Sequence, residues 1–302
     1  MKICPENVSP AITVPTRVPL RWCPLGPVVL LALMTVTGLP RPLPAQDPGF
    51  LPDLPAWEYP LASPRVNALV GRILQTDEAD NLFGTGTEAE VVAGEDFPVV
   101  RLAGGGGGNP VTLGLGFQVY GRFSLDDPKS SLISSDWLVS LNVQKRWVRW
   151  DLTLQLYHES SHLGDEYLEK FGQPRLDWTR EVAAVWVGRT LGPFRLVGSG
   201  SYVLSDGLGL DPLGASLAGD FQGFAFRLGS IPARVVAGVY AEGYEATDWR
   251  ISTTARAGIA LSGGKGGREL SLSLVAHDGL STQRQFFRAE SRYLGLEIRF
   301  DL

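Results

Sequence analysis

From about residue 66 to its end, this chain alternates apolar and polar side chains in runs of about 11 to 13 residues, with Gly, Pro, Asp or Ser between the runs. A period of two is the period of a β-strand, because successive side chains point to opposite faces. Leu113, Leu115, Phe117 and Val119 share one face, with Gly114, Gly116, Gln118, Tyr120 and Arg122 on the other. Trp137, Val139, Leu141 and Val143 oppose Asp136, Ser140, Asn142 and Gln144 in the same way. So do Ile251, Ala255, Ala257, Ile259 and Leu261 against Arg250, Ser252, Thr254, Arg256 and Gly258. In a soluble sandwich the apolar face turns inward to a second sheet. In an outer-membrane barrel it turns outward to lipid, and the polar face lines the lumen.

Run length separates the two. Sandwich strands are usually ~5–6 residues long, whereas a tilted strand crossing a bilayer needs ~9–11. The connections also alternate in length, long near 76–86, 125–134, 161–177, 205–216 and 279–287, and short between them. This rhythm is that of a barrel with long outer loops and short inner turns. The expected fold is therefore all-β, an antiparallel up-and-down transmembrane barrel of about twelve strands over residues 66–302.

Arg17 and Arg21 precede an apolar stretch over 28–36, and Leu43-Pro44-Ala45 follows it. That order reads as a cleavable secretory signal over 1–45, holding both cysteines, Cys4 and Cys23. Residues 46–65 are Pro-rich and without period, and are expected to form an extended periplasmic lead-in. With 27 Lys+Arg against 32 Asp+Glu and a net charge of -5, the chain lacks the basic footprint of a nucleic-acid binder. The chain closes on Tyr293-Leu294-Gly295-Leu296-Glu297-Ile298-Arg299-Phe300-Asp301-Leu302, which resembles the terminal signal of bacterial outer-membrane barrels, although two residues follow Phe300. The resemblance implies the bacterial outer membrane as location, with outer-membrane lipid and the barrel-assembly machinery as partners.

Reactive side chains concentrate in Tyr157-His158-Glu159-Ser160-Ser161-His162-Leu163-Gly164-Asp165-Glu166. His158-Glu159-x-x-His162 has the spacing of a zinc-protease motif, but that motif works on a helix. Here Leu152, Leu154 and Leu156 alternate with Asp151, Thr153 and Gln155, and residues four apart on a strand stand roughly 13 Å from one another, too far to grip one ion. The same alternation carries His158 and Ser160 onto the lipid face at the outer end of a strand. An outward His two residues before an outward Ser resembles outer-membrane phospholipase A and the lipid A deacylases. The resemblance implies that His158 deprotonates Ser160 for attack on a lipid ester. Those families continue with Asn where this chain has Ser161; Glu181 or Thr179 on the following strand could complete the set.

A wider resemblance covers most of the chain. The stretch 116–166, with Phe123-Ser124-Leu125, Leu132-Ile133-Ser134-Ser135-Asp136-Trp137-Leu138-Val139 and the His158–Glu166 segment, looks like the bacterial family called domain of unknown function 1207. His277-Asp278-Gly279-Leu280-Ser281 and Gln285-Phe286-Phe287 echo it near the C-terminus. Glu159 departs from the Gln common there. The family carries no assigned activity, so the resemblance locates the motif without explaining it; the expected function is that of a structural or interaction barrel, with a lipid-directed serine hydrolase as the alternative.

Three further expectations concern the interior and the rim. Arg122, Arg189, Arg195, Arg256 and Arg299 with Glu181, Glu242 and Glu297 make a lumen of mixed sign, suited to internal pairing. His277 faces that lumen, with Asp278 or a loop carboxylate as its expected partner. No cofactor is expected, although Asp165, Glu166, Glu169 and Asp177 could hold Ca²⁺. If the motif is structural, Gly164 allows a tight reversal and 160–166 folds into an outer plug whose order depends on His162 and Asp165.

Overall fold

The computed structural model describes residues 48–52, 58–66, 68–102, 109–263 and 268–301. The expected signal peptide lies outside the described residues. Thirteen strands form one sheet: β1 (Gly49–Phe50), β2 (Leu69–Glu78), β3 (Thr87–Leu102), β4 (Val111–Ser124), β5 (Leu132–Arg146), β6 (Trp150–Leu163), β7 (Trp178–Leu191), β8 (Phe194–Asp206), β9 (Leu213–Leu228), β10 (Ile231–Tyr244), β11 (Ser252–Ser262), β12 (Glu269–Leu280) and β13 (Glu290–Asp301). From β2 to β13 each strand pairs antiparallel with the next, and β13 returns to β2 with Leu296 opposite Ile73. Among the described residues twelve strands, β2 to β13, thus close on themselves into a barrel. The short β1 pairs Gly49 with Arg101 and Phe50 with Val100, on the part of β3 beyond the reach of β2.

The apolar face points out. Trp137 is 51% exposed, Val139 57% and Leu296 65%, as lipid-facing side chains are when no lipid is present. The inward face carries charge in pairs. Glu297 accepts from Arg72 Nε at 2.7 Å and from Arg256 Nε at 2.6 Å, while Arg122 binds Glu88 and Glu90, each at 2.8 Å. Arg72 also binds Glu90, so one buried chain of alternating charge, drawn from five strands, spans the six from β11 round to β4. Taking such ions out of water is costly, and only complete pairing offsets that cost. Glu181 is a correction to the expected lumen set, because it faces outward. On β7 the inward positions are Trp178, Arg180, Val182, Ala184 and Trp186, whose apolar members resemble a lipid face in sequence.

Those inward apolar residues have a partner that the period did not reveal. The 46–65 lead-in was expected outside the barrel, but residues 58–66 run inside it as a strap. Arg195 Nη1 donates to the Glu58 carbonyl at 2.9 Å, Gln155 Nε2 to the Tyr59 hydroxyl at 2.8 Å, and the Leu61 amide to Asp220 at 3.0 Å. Tyr59 sets its ring edge-on against Trp186, with centroids 5.7 Å apart. Tyr59, Ala62, Val66 and Ala68 form an apolar core within the lumen together with Tyr120, Val197, Ala218 and Tyr240. Proline and small residues need no period to fit such a site, so this segment reads in sequence as featureless chain.

Candidate functional site at the outer rim

β6 runs to Leu163, so His162 belongs to the strand and does not begin the loop. Strict alternation along it puts His158, Ser160 and His162 outward, and Glu159, Ser161 and Leu163 inward, where all three are buried. The two faces do different things.

Outward, His158 stands across from Glu181 on β7 and from Val139 on β5, while Ser160 stands across from Thr179 and Trp137. The His158 Nδ1 lies 3.1 Å from Glu181 Oε1, with the two side chains 43% and 45% exposed. Of Glu181 and Thr179, between which the sequence left the choice open, Glu181 is the one in contact with His158. A carboxylate on Nδ1 fixes the imidazole as the tautomer that carries its proton there, which leaves Nε2 free to act as a base. Ser160 is two residues along the same face, roughly 6.6 Å away at Cα from the rise per strand residue. No hydrogen bond joins Ser160 Oγ to the His158 ring among the described residues. Trp137 lies beside the serine with its indole N–H directed to Ser135 Oγ at 3.2 Å, the amphipathic posture of a ring at the membrane interface.

Inward, the same strand is bolted to the outer loops. Glu159 accepts from Arg284 Nε at 2.9 Å and from Trp178 Nε1 at 3.0 Å. Ser161 donates to Asp136, and Gln285 Nε2 donates to the Ser161 carbonyl at 2.8 Å and to the Leu176 carbonyl at 3.1 Å. A short helix that the sequence reading missed, α1 (Asp165–Phe171), covers this end. Its Tyr167 is fully buried against Ile133, Leu163 and Phe286, and its hydroxyl accepts from the Leu82 amide at 2.8 Å and donates to Gln173 at 3.1 Å. Burial pushes the Tyr167 phenol up to about 12. The contacts that close this end come from Glu159, Ser161 and Tyr167, and not from the His162 and Asp165 on which the expected plug rested. His162 is exposed, and among the described residues the Asp165 side chain pairs with Arg175, at 2.7 Å on the surface.

Gly164 serves a different end from the expected reversal. Its φ is -63°, open to any residue, but a Cβ there would lie 1.9 Å from the Leu132 carbonyl oxygen. Close approach of two chain segments is what requires glycine here. His277 faces the lumen as expected, yet its partners are Thr254 Oγ1 at 2.9 Å and the Leu280 carbonyl at 3.0 Å in place of a carboxylate, and its ring stacks on Tyr293. Among the described residues no three His, Cys, Asp or Glu side chains gather as metal ligands do.

The segments that carry the family resemblance meet at this one place. Residues 132–139 supply Ile133 and Asp136, residues 157–166 supply both faces of β6, and residues 277–287 supply Gln285 and Phe286. The model of the family described as "Protein of unknown function (DUF1207)" matches residues 45–302. The chain belongs to that family. No curated protein matches this DUF1207 chain in sequence. Among solved structures it is similar to outer membrane phospholipase A from Escherichia coli, at 13% identity over 82% of this chain and 93% of that one, with a TM-score of 0.54. It is equally similar to the outer membrane phospholipase dimer with bound calcium from Salmonella typhi, at 14% identity, the same coverage and a TM-score of 0.54. LpxR from Salmonella typhimurium matches at 11% identity over 78% of this chain and 100% of that one, with a TM-score of 0.36. At these identities the likeness to the phospholipases shows the fold, and the DUF1207 chain is an outer-membrane-type barrel.

Proposed function

We propose that this protein is a lipid-directed serine hydrolase of the bacterial outer membrane, with Ser160 as nucleophile, His158 as general base and Glu181 as the carboxylate that orients it. The observation that carries the reading is the His158–Glu181 pair standing on the lipid face beside an outward serine. Charged groups on that face of a barrel are costly unless they lie near the interface and are used. The residues that secure the outer loops are the inward ones, Glu159, Ser161 and Tyr167, so holding the rim together does not account for His158, Ser160 and Glu181. A structural role describes the lumen, where the charges pair with one another and the strap fills the inner half.

In the proposed reaction Ser160 Oγ attacks the carbonyl carbon of an acyl ester while His158 Nε2 takes the hydroxyl proton. Glu181 stabilises the imidazolium that forms. Collapse of the tetrahedral adduct breaks the ester C–O bond, and the proton passes from His158 to the departing alkoxide. Water, deprotonated by the same imidazole, then releases the fatty acid from Ser160. Val139, Leu154, Leu156 and Val185, exposed on the lipid face of these strands, offer an apolar surface for the acyl chain.

The test is covalent. Refolded protein treated with an alkyl fluorophosphonate is expected to gain one adduct, mapped to Ser160 by mass spectrometry, and to lose it in His158→Ala. Labelling elsewhere, or none in a folded barrel, overturns the reading.

A further inference from the structure

The strap enters from the inner end of the barrel, yet its last charged residue acts at the outer site. Arg65 Nη2 binds Asp136 Oδ2 at 2.5 Å, and its guanidinium lies over the Tyr120 ring, 4.3 Å from the centroid. The same nitrogen donates to the Thr282 carbonyl on the outer loop between β12 and β13. Asp136, 2% exposed, uses its other oxygen to accept from Ser161. In the β5–β6 register Asp136 faces Ser161, and the next pair along is Trp137 with Ser160. One buried carboxylate therefore holds both strands from below at the step where the outward serine stands, and that carboxylate is neutralised by the strap.

We propose that Arg65, acting through Asp136, is a positioning residue for the outward site, so that the strap sets the geometry of Ser160 and His158 from inside the barrel. This rests on the hydrolase reading given above. The physics is that of alternation. A strand's two faces share one backbone, so a shift of Ser161 on the lumen side moves Ser160 on the lipid side. With Arg65 removed, Asp136 is a buried carboxylate without its cationic partner, and the strands must move to admit water or expel the charge. Glu159, fixed by Arg284 and Trp178, holds the other side of Ser160, so only the Asp136 step is released.

The experiment compares the full refolded chain with Arg65→Gln and Arg65→Lys in phospholipid vesicles. Two signals are read: the rate at which an alkyl fluorophosphonate labels Ser160, and the imidazole ¹⁵N shifts of His158. Arg65→Gln is expected to slow labelling at least tenfold and to move the His158 shifts, while Arg65→Lys restores labelling to within threefold. Should Arg65→Gln fail to fold, Asp136→Glu, which keeps the charge pair but lengthens the buried carboxylate by one methylene against Ser161, is read in the same way. A folded Arg65→Gln, or in its place a folded Asp136→Glu, that labels within twofold of the parent and leaves the His158 shifts in place overturns the proposal. If the parent is not labelled at all, the hydrolase reading has failed, and the ¹⁵N shifts alone decide the positioning: movement in Arg65→Gln with return in Arg65→Lys supports it, and no movement overturns it.

Discussion

At the scale of single residues, neighbours in sequence on β6 have opposite duties, and substitution should separate them. Ser160→Ala and Glu181→Gln change groups on the outer face, where Glu181 bonds only the half-exposed His158 and the exposed Ser205 among the described residues, so both are expected to leave thermal stability within about 1 kcal/mol. Hydrolysis should vanish in the first and fall by on the order of 10²- to 10⁴-fold in the second, because an amide cannot support the imidazolium. Tyr167→Phe should do the reverse. It removes a hydroxyl with two partners at the buried outer cap, at about 1–2 kcal/mol measured by denaturant melting in detergent, with no direct effect on the outward site. The phenol has a folded pKa near 12, above the ~10 of a free tyrosine, so its contribution is complete below about pH 10 and is lost as pH rises toward 12. Melting of the parent should weaken across that interval, and melting of Tyr167→Phe should weaken less. His162→Ala is expected to leave stability unchanged, since the exposed ring caps nothing.

At the scale of elements, the strands were legible because a single rule, apolar out and polar in, writes itself into the sequence every second residue. The rule fails where the lumen itself is apolar. Val182, Ala184 and Trp186 on β7 look like lipid-facing residues until the strap is seen beneath them, and this is why Glu181 was assigned to the wrong side. The strap and α1 were missed for related reasons. The first has no period, and the second is seven residues long, ends at Gly172, and is held by burial of Tyr167 more than by helix propensity. The site was legible in part: spacing gave His158 and Ser160, but the choice of Glu181 over Thr179 needed the register of β6 against β7. Charge pairing across strands supplies an element-scale test. Glu297→Ala strips Arg72 and Arg256 of a shared buried partner and should destabilise the barrel by about 3–5 kcal/mol, seen as earlier loss of the compact form on heating in detergent gels.

At the scale of the whole molecule, the lumen and the membrane face have exchanged the roles they have in a porin. The interior of this barrel holds paired charges and a segment of its own chain, so the protein in a planar bilayer is expected to pass no steady ion current, and sustained current through the parent would mean that these do not block the lumen. The proposed chemistry faces lipid. The decisive measurement is fatty-acid release from vesicles of ester-linked phospholipid or lipid A, with ether-linked phospholipid as control. The account predicts release from an ester substrate by the parent, none from the ether lipid, and none by a Ser160→Ala variant that melts at the same temperature. A folded parent that releases no fatty acid from either ester substrate, or a Ser160→Ala variant that releases it as fast as the parent, would contradict it.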